Sequence, residues 1–153
     1  MQPLNRSSRH PKIAGDFGEA LVLYLLSKRG FECAQVDHTG IDLIAKHPKR
    51  RERMGISVKS RTRSEGAEDM YVKLPVDDFK KVDDACDAFG CVPYFAIVVD
   101  AANTIRVFIV PKAHYAERYA GAGWRMSPKY LEQYAADKKV MSFEFRGREG
   151  RWW

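Results

Sequence analysis

Glu19, Asp42, Ser57 and Lys59 are the residues of this chain whose types and spacing can be combined into chemistry. Carboxylate oxygens are the ligands Mg²⁺ prefers, and the ion usually keeps several waters beside one or two such groups. An ion held in that way lowers the pKa of its water and stabilises charge building on a phosphoryl oxygen. A lysine ammonium nearby can orient the water or stabilise the developing charge itself. Each residue also has a plainer reading. Asp42 and Lys59 suit a cross-strand ion pair. Asp16-x-x-Glu19 fits a capping box, with Asp in place of the usual Ser or Thr.

Two strands and a helix must position these groups. In residues 40–45, Ile41, Leu43 and Ala45 take one face, leaving Asp42, Ile44 and Lys46 on the other. In residues 55–61, Ile56 and Val58 oppose Ser57, Lys59 and Arg61. A polar, basic connection containing Pro48 joins the two runs, which reads as an antiparallel hairpin. A turn centred near Arg50 and Arg51 sets Asp42 roughly opposite Lys59, on one face of the sheet. The helix is expected from about Asp16 to Arg29, closed by Gly30. Glu19 lines up on it with Leu23 and Leu26, and so points toward the sheet. Residues 20–26 are all apolar, which predicts burial on more than one side, by the sheet and by other helices or a second subunit.

Around this unit the chain reads as a mixed-sheet α/β protein. Residues 1–13 form a basic arm, 14–145 one domain, and 146–153 a basic tail ending in two tryptophans. Residues 31–36 make a first strand and 71–74 a short one. Pro75, Asp77 and Asp78 suit the first turn of a second helix, where carboxylates complement the dipole. Phe79, Val82, Cys86 and Phe89 form its apolar stripe before Gly90. Strands follow at 92–99 and 105–110, then a short helix at 111–119. Ser127-Pro128 opens another helix to about Lys138, and a last strand covers 141–145.

A net charge of +6 points to polyanionic partners, nucleic acid above all. The candidate phosphate contacts are Lys46, Lys49, Arg50, Arg51 and Arg53 in the hairpin loop, then Arg61 and Arg63, with Arg6, Arg9, His10 and Lys12 in the arm. No apolar run reaches the roughly 18 residues of a membrane span. With no signal-peptide pattern near Met1 either, a cytoplasmic location is expected. Cys33, Cys86 and Cys91 lack a Cys-x-x-Cys pair and read as reduced thiols. His38 reads as a turn residue, His47 as loop surface, and His114 lacks a cysteine partner at metal spacing. Tyr115, Tyr119, Tyr130 and Tyr134 can stack on bases, but at helical spacing they suit packing better.

Gly-Asp-Phe-Gly-Glu19-Ala on a helix, Gly40-Ile-Asp42-Leu-Ile after a strand and Ile56-Ser-Val-Lys59 on the next strand resemble the PD-(D/E)XK nuclease superfamily, in its Holliday-junction-resolvase-like and Mrr-like branches. The resemblance spans about residues 14–110. It implies a restriction-endonuclease-like sheet with an αβββαβ core, flanked here by extra C-terminal helices and a short strand. It further implies metal-dependent hydrolysis of DNA, with Mg²⁺ or Mn²⁺ on Glu19 and Asp42 and with Lys59 as the catalytic lysine. Ser57 departs from the pattern, since the superfamily places an acid, or Gln in Mrr-like members, at that position. A serine hydroxyl holds a water but supplies no charge. A DNA endonuclease is therefore the first expectation, DNA its partner and a homodimer compatible with it. A catalytically silent DNA-binding module on the same fold is the second, and a basic surface for an acidic protein the third.

Overall fold

In the computed structural model, which describes residues 5–147, four helices flank one six-stranded sheet. The elements run α1 (His10–Lys28), β1 (Glu32–Gln35), β2 (Leu43–Lys46), β3 (Arg53–Arg63), α2 (Val76–Phe89), β4 (Val92–Ala101), β5 (Thr104–Pro111), α3 (Lys112–Arg118), α4 (Pro128–Ala136) and β6 (Met141–Arg146). Spatial order follows chain order from β1 to β6. Only β3 and β4 are parallel, because α2 crosses over between them; every other neighbour is antiparallel. The expected αβββαβ core and its C-terminal additions are therefore present.

Alternation along the central strands divides the core in two. Leu43, Ala45, Met54, Ile56, Ala96 and Val98 pack with Val22, Leu25 and Leu26 of α1. Phe95, Ile97, Val99, Phe108 and Val110 pack on the other face with α2, Tyr115, Tyr119, Trp124 and Tyr134. Trp124 stacks on Tyr134 at 3.8 Å between ring centroids. Tyr115, Tyr119 and Tyr134 are thus core residues, with no ring face free for a nucleobase. Tyr130 packs against the same cluster.

Several expected boundaries move. Helix α1 starts at His10, with Pro11 in its first turn, so residues 10–13 belong to it and not to an arm. Asp16 then lies inside the helix, paired with Lys12 at 3.1 Å, which removes the capping box. Within this chain the apolar run of α1 is covered on its sheet side, and Tyr24 is exposed, as are Ile13 and Phe17 earlier in the helix. Residues 71–74 form no strand, only a bridge from Val72 to Trp124. Helix α4 stops at Ala136, and Ser127 occupies its N-cap without a side-chain hydrogen bond. Helix α2 closes as expected on Gly90, whose φ of 65° a side chain would oppose. No helix among the described residues is long and apolar enough to cross a membrane. The ends of the expected arm and tail, 1–4 and 148–153, lie outside the described residues.

Candidate active site

The hairpin pairs in a different register from the one its turn suggests. Leu43 faces Ile56 and Lys46 faces Arg53, which brings Asp42 level with Ser57 and not with Lys59. His47 sets this register. Its N–H donates to the Glu52 carbonyl at 3.1 Å, and its Nδ1 accepts the N–H groups of Lys49 and Arg50 at 3.0 and 3.2 Å. Its ring also packs edge-on against Phe31, so this histidine organises the loop.

The chain bends at Asp42, where β2 has not yet begun. Ile41 consequently packs with the α2 core while Leu43 packs with α1, against the simple alternation expected for 40–45. Gly40 permits the approach: a Cβ there would lie 2.1 Å from the Lys81 carbonyl oxygen of α2. Past the end of the ladder, the Asp42 carboxylate takes over as acceptor. Its Oδ2 receives the Val58 N–H of β3 at 2.7 Å, while the Asp42 N–H donates to the Ile56 carbonyl at 2.8 Å. The carboxylate is thereby tied to the backbone beside Lys59.

Helix α1 brings Glu19 to the same place. Gly18 lies against Ser60 and Val58, closer than any side chain would allow, since a Cβ would meet Ser60 Oγ at 1.9 Å. Next to it, the Glu19 carboxyl is within hydrogen-bonding reach of Asp42. Burial pushes the Glu19 pKa up, and the Asp42 charge and hydrogen bond push it further; Lys12 opposes them weakly. Two carboxyls crowded together with little positive compensation suit a proton or a cation. Their oxygen donors fit Mg²⁺, which needs no more than one or two carboxylates. Among the described residues no larger group of three His, Cys, Asp or Glu assembles.

Ser57 is 5% exposed, level with Asp42 on the face turned to α2. Lys59 shares that face but does not pair with Asp42 as expected. Its Nζ lies 3.0 Å from Oδ2 of Asp78, in the first turn of α2. Sequence reading had a signal for Asp78, since a helix returning after β3 places its first turn beside the strand's far end. The dipole alone explained that residue well enough to hide its partner.

Both helices present their N-termini here. His10 of α1 meets Thr62 at 3.3 Å, and Asp78 of α2 meets Lys59, while Cys86 further along α2 reaches the Gly55 carbonyl. Two positive dipole ends thus converge on the C-terminal half of β3, a setting that favours anions. Arg6 and Arg61 lie at this end, donating to the Thr62 and Ser60 carbonyls at 3.5 and 2.8 Å. Arg63 donates to Tyr71 at 3.1 Å. An open pocket beside them is lined by His10, Ile13, Phe17, Ser60, Arg61 and Thr62. The basic loop lies elsewhere: Arg53 is six residues back along β3 from Lys59, about 20 Å at ~3.3 Å per residue. Lys46, Lys49, Arg50, Arg51 and Arg53 therefore occupy the other end of the hairpin from Lys59.

The remaining candidates stand apart. His38 accepts the Gly40 N–H at 3.1 Å, a turn role. His114 lies 2.7 Å from Asp137. Burial raises the thiols of Cys33, Cys86 and Cys91, the second to about 11, which leaves them poor nucleophiles.

No family profile and no curated protein matches the sequence. Among solved structures, the Archaeoglobus fulgidus Holliday junction resolvase Hjc aligns with a TM-score of 0.52 and 17% identity, over 75% of this chain and 88% of that one. A restriction endonuclease in complex with substrate DNA aligns at 0.40 and 12%, over 94% and 74%. The architecture of this chain is a restriction-endonuclease-like fold, shared with the resolvase structure.

Proposed function

We propose that this protein is a divalent-metal-dependent DNA endonuclease. The observation that carries the reading is the Glu19–Asp42 pair, two carboxyls brought together by separate elements with the Glu19 pKa raised. Glu19 and Asp42 would hold Mg²⁺ or Mn²⁺, which when bound supplies charge stabilisation and activation of water. The Val58 N–H fixes the Asp42 carboxylate and so its orientation. Lys59, the next residue on β3, offers its ammonium to charge developing on a phosphoryl group. Arg61 and Arg63, with the N-termini of α1 and α2, attract the phosphates on either side. The basic loop, about 20 Å from Lys59 along β3, suits a neighbouring stretch of the same duplex. Junction-shaped DNA is one candidate substrate, given the Holliday junction resolvase among the structures of similar fold. Unpaired thiols and a DNA substrate both suit the cytoplasm.

Ser57 favours a second reading, a binding module without catalysis, because it contributes no charge where a third acid would sit. One experiment separates the two. Nicking of plasmid, linear, flap and four-way-junction DNA is followed with Mg²⁺, with Mn²⁺ and with chelator, beside Asp42→Ala. An enzyme loses roughly a hundredfold or more of its rate in Asp42→Ala while retaining DNA affinity. Cleavage that survives without Asp42 or without metal sinks the mechanism. Binding with no cleavage of any substrate leaves the silent module.

A further inference from the structure

The Lys59–Asp78 ion pair differs from the exposed pairs on the helix surfaces. Lys12–Asp16 and Lys80–Asp84 are four residues apart on single helices and largely in solvent, where such pairs contribute little. Lys59 and Asp78 join β3 to α2, and their side chains are only 23% and 18% exposed. Asp78 is well anchored, its own N–H donating to the Pro75 carbonyl at 3.0 Å in the first turn. The body of α2 is fixed by the close passage of Gly40 and the Cys86–Gly55 contact. A lysine has a flexible four-carbon stem, so its ammonium has no preferred position without a partner. Moreover, a cation held by Glu19 and Asp42 would repel that ammonium.

We infer that Asp78 is the positioning residue of Lys59, supplying from α2 the negative charge that Ser57 does not place on β3. The inference rests on the nuclease reading. Asp78 counters the repulsion and keeps the ammonium at the reacting end of β3. It acts through Lys59 and not as a ligand, since among the described residues it does not join Glu19 and Asp42 in a three-carboxylate group.

The test uses the full chain and supercoiled plasmid, with Mg²⁺ varied and unfolding temperatures measured for every variant. Asp78→Asn should lower kcat about tenfold or more, the scale of a misplaced catalytic group. KM for DNA should stay level or fall, and the Mg²⁺ midpoint should not move. Asp78→Glu should recover part of the rate. In a Lys59→Ala background, Asp78→Asn should change the residual rate by less than about twofold, because the partner is already gone. Asp78→Ser, which also suits a helix start, serves as the neutral variant if Asp78→Asn folds poorly. Wild-type kcat in the neutral variant overturns the role. So does a raised Mg²⁺ midpoint, which would make Asp78 a ligand, or an equal loss in both backgrounds, which would make it structural. An inactive wild type overturns the nuclease reading and this role with it, whereas an active wild type beside an unaffected variant overturns the role alone.

Discussion

Two partly buried carboxylate sites in this molecule are handled in opposite ways. The side chain of Asp137, at the end of α4, is only 4% exposed, and burial alone would raise its pKa. Hydrogen bonds from the Tyr119 hydroxyl, from His114 and from the Lys139 N–H outweigh burial and hold it at about 2. Arg118 adds charge at 3.8 Å. At Glu19 burial also raises the pKa, but its neighbour is another carboxyl, so the second influence adds to the first. The difference separates an anion with its partners inside the fold from a pair that adds negative charge to negative charge. Asp137 has its partners inside the fold, and nothing further need bind; the Glu19–Asp42 pair gains most from what the fold does not supply.

Removing the satisfied carboxylate should have the largest effect on stability. Asp137→Ala leaves the His114 ring, the Tyr119 hydroxyl and the Lys139 N–H without their acceptor, at a cost of roughly 3 kcal/mol. Calorimetry should show a melting temperature lower by about 6–12 °C. Cleavage per folded molecule should persist at temperatures below the transition. Because the folded pKa of Asp137 is depressed from 3.8, its stabilisation is present above about pH 4 and is lost as pH falls toward 2. A variant that melts with the wild type would erase the contrast between the two sites.

A third acid should sharpen it. Ser57→Asp adds a carboxylate level with Asp42, in a position now almost fully buried. Without metal the variant should lose roughly 1–3 kcal/mol, the order of an uncompensated buried polar group. With Mg²⁺ it should regain stability and bind the ion more tightly than wild type does, as read by unfolding across a metal titration. An acid that destabilises equally with and without Mg²⁺ would show that the pair is not a cation site.

The smallest effect runs the other way. Glu19→Gln relieves the crowding of like charges, so in chelator at pH 7 it should raise the melting temperature by on the order of 2 °C. Its sign against pH is opposite to that of Asp137. A carboxyl with a raised folded pKa weakens the fold above that pKa, and the weakness disappears as protonation proceeds on acidification. The advantage of Glu19→Gln should therefore vanish in acid, where Asp137 is failing. An advantage unchanged with pH would mean that the glutamate packs badly for reasons other than charge.

Much of this architecture was legible in the sequence. The stripe Phe79, Val82, Cys86 and Phe89 before Gly90 foretold α2, and the apolar runs foretold β4 and β5 within two residues. Glu19 was expected to approach Asp42 from a helix over the sheet, and the fold brings the two together. These features follow from local periodicity, which reports what each residue's own backbone turns toward the core.

Tertiary contacts decided what periodicity could not express. A two-residue register shift keeps every side chain on its face, so the hydrophobic pattern could not distinguish Ser57 from Lys59 opposite Asp42. The choice fell to the His47–Glu52 closure within the loop. The bend at Asp42 answers the free Val58 N–H beyond the end of β2, a donor that exists only once the sheet has formed. The partner of Lys59 came from α2, where the dipole already accounted for Asp78. Sequence determined which residues face inward and in what order the elements come. Which charge meets which depends on angstrom-scale placement of separate elements, and packing between them sets it.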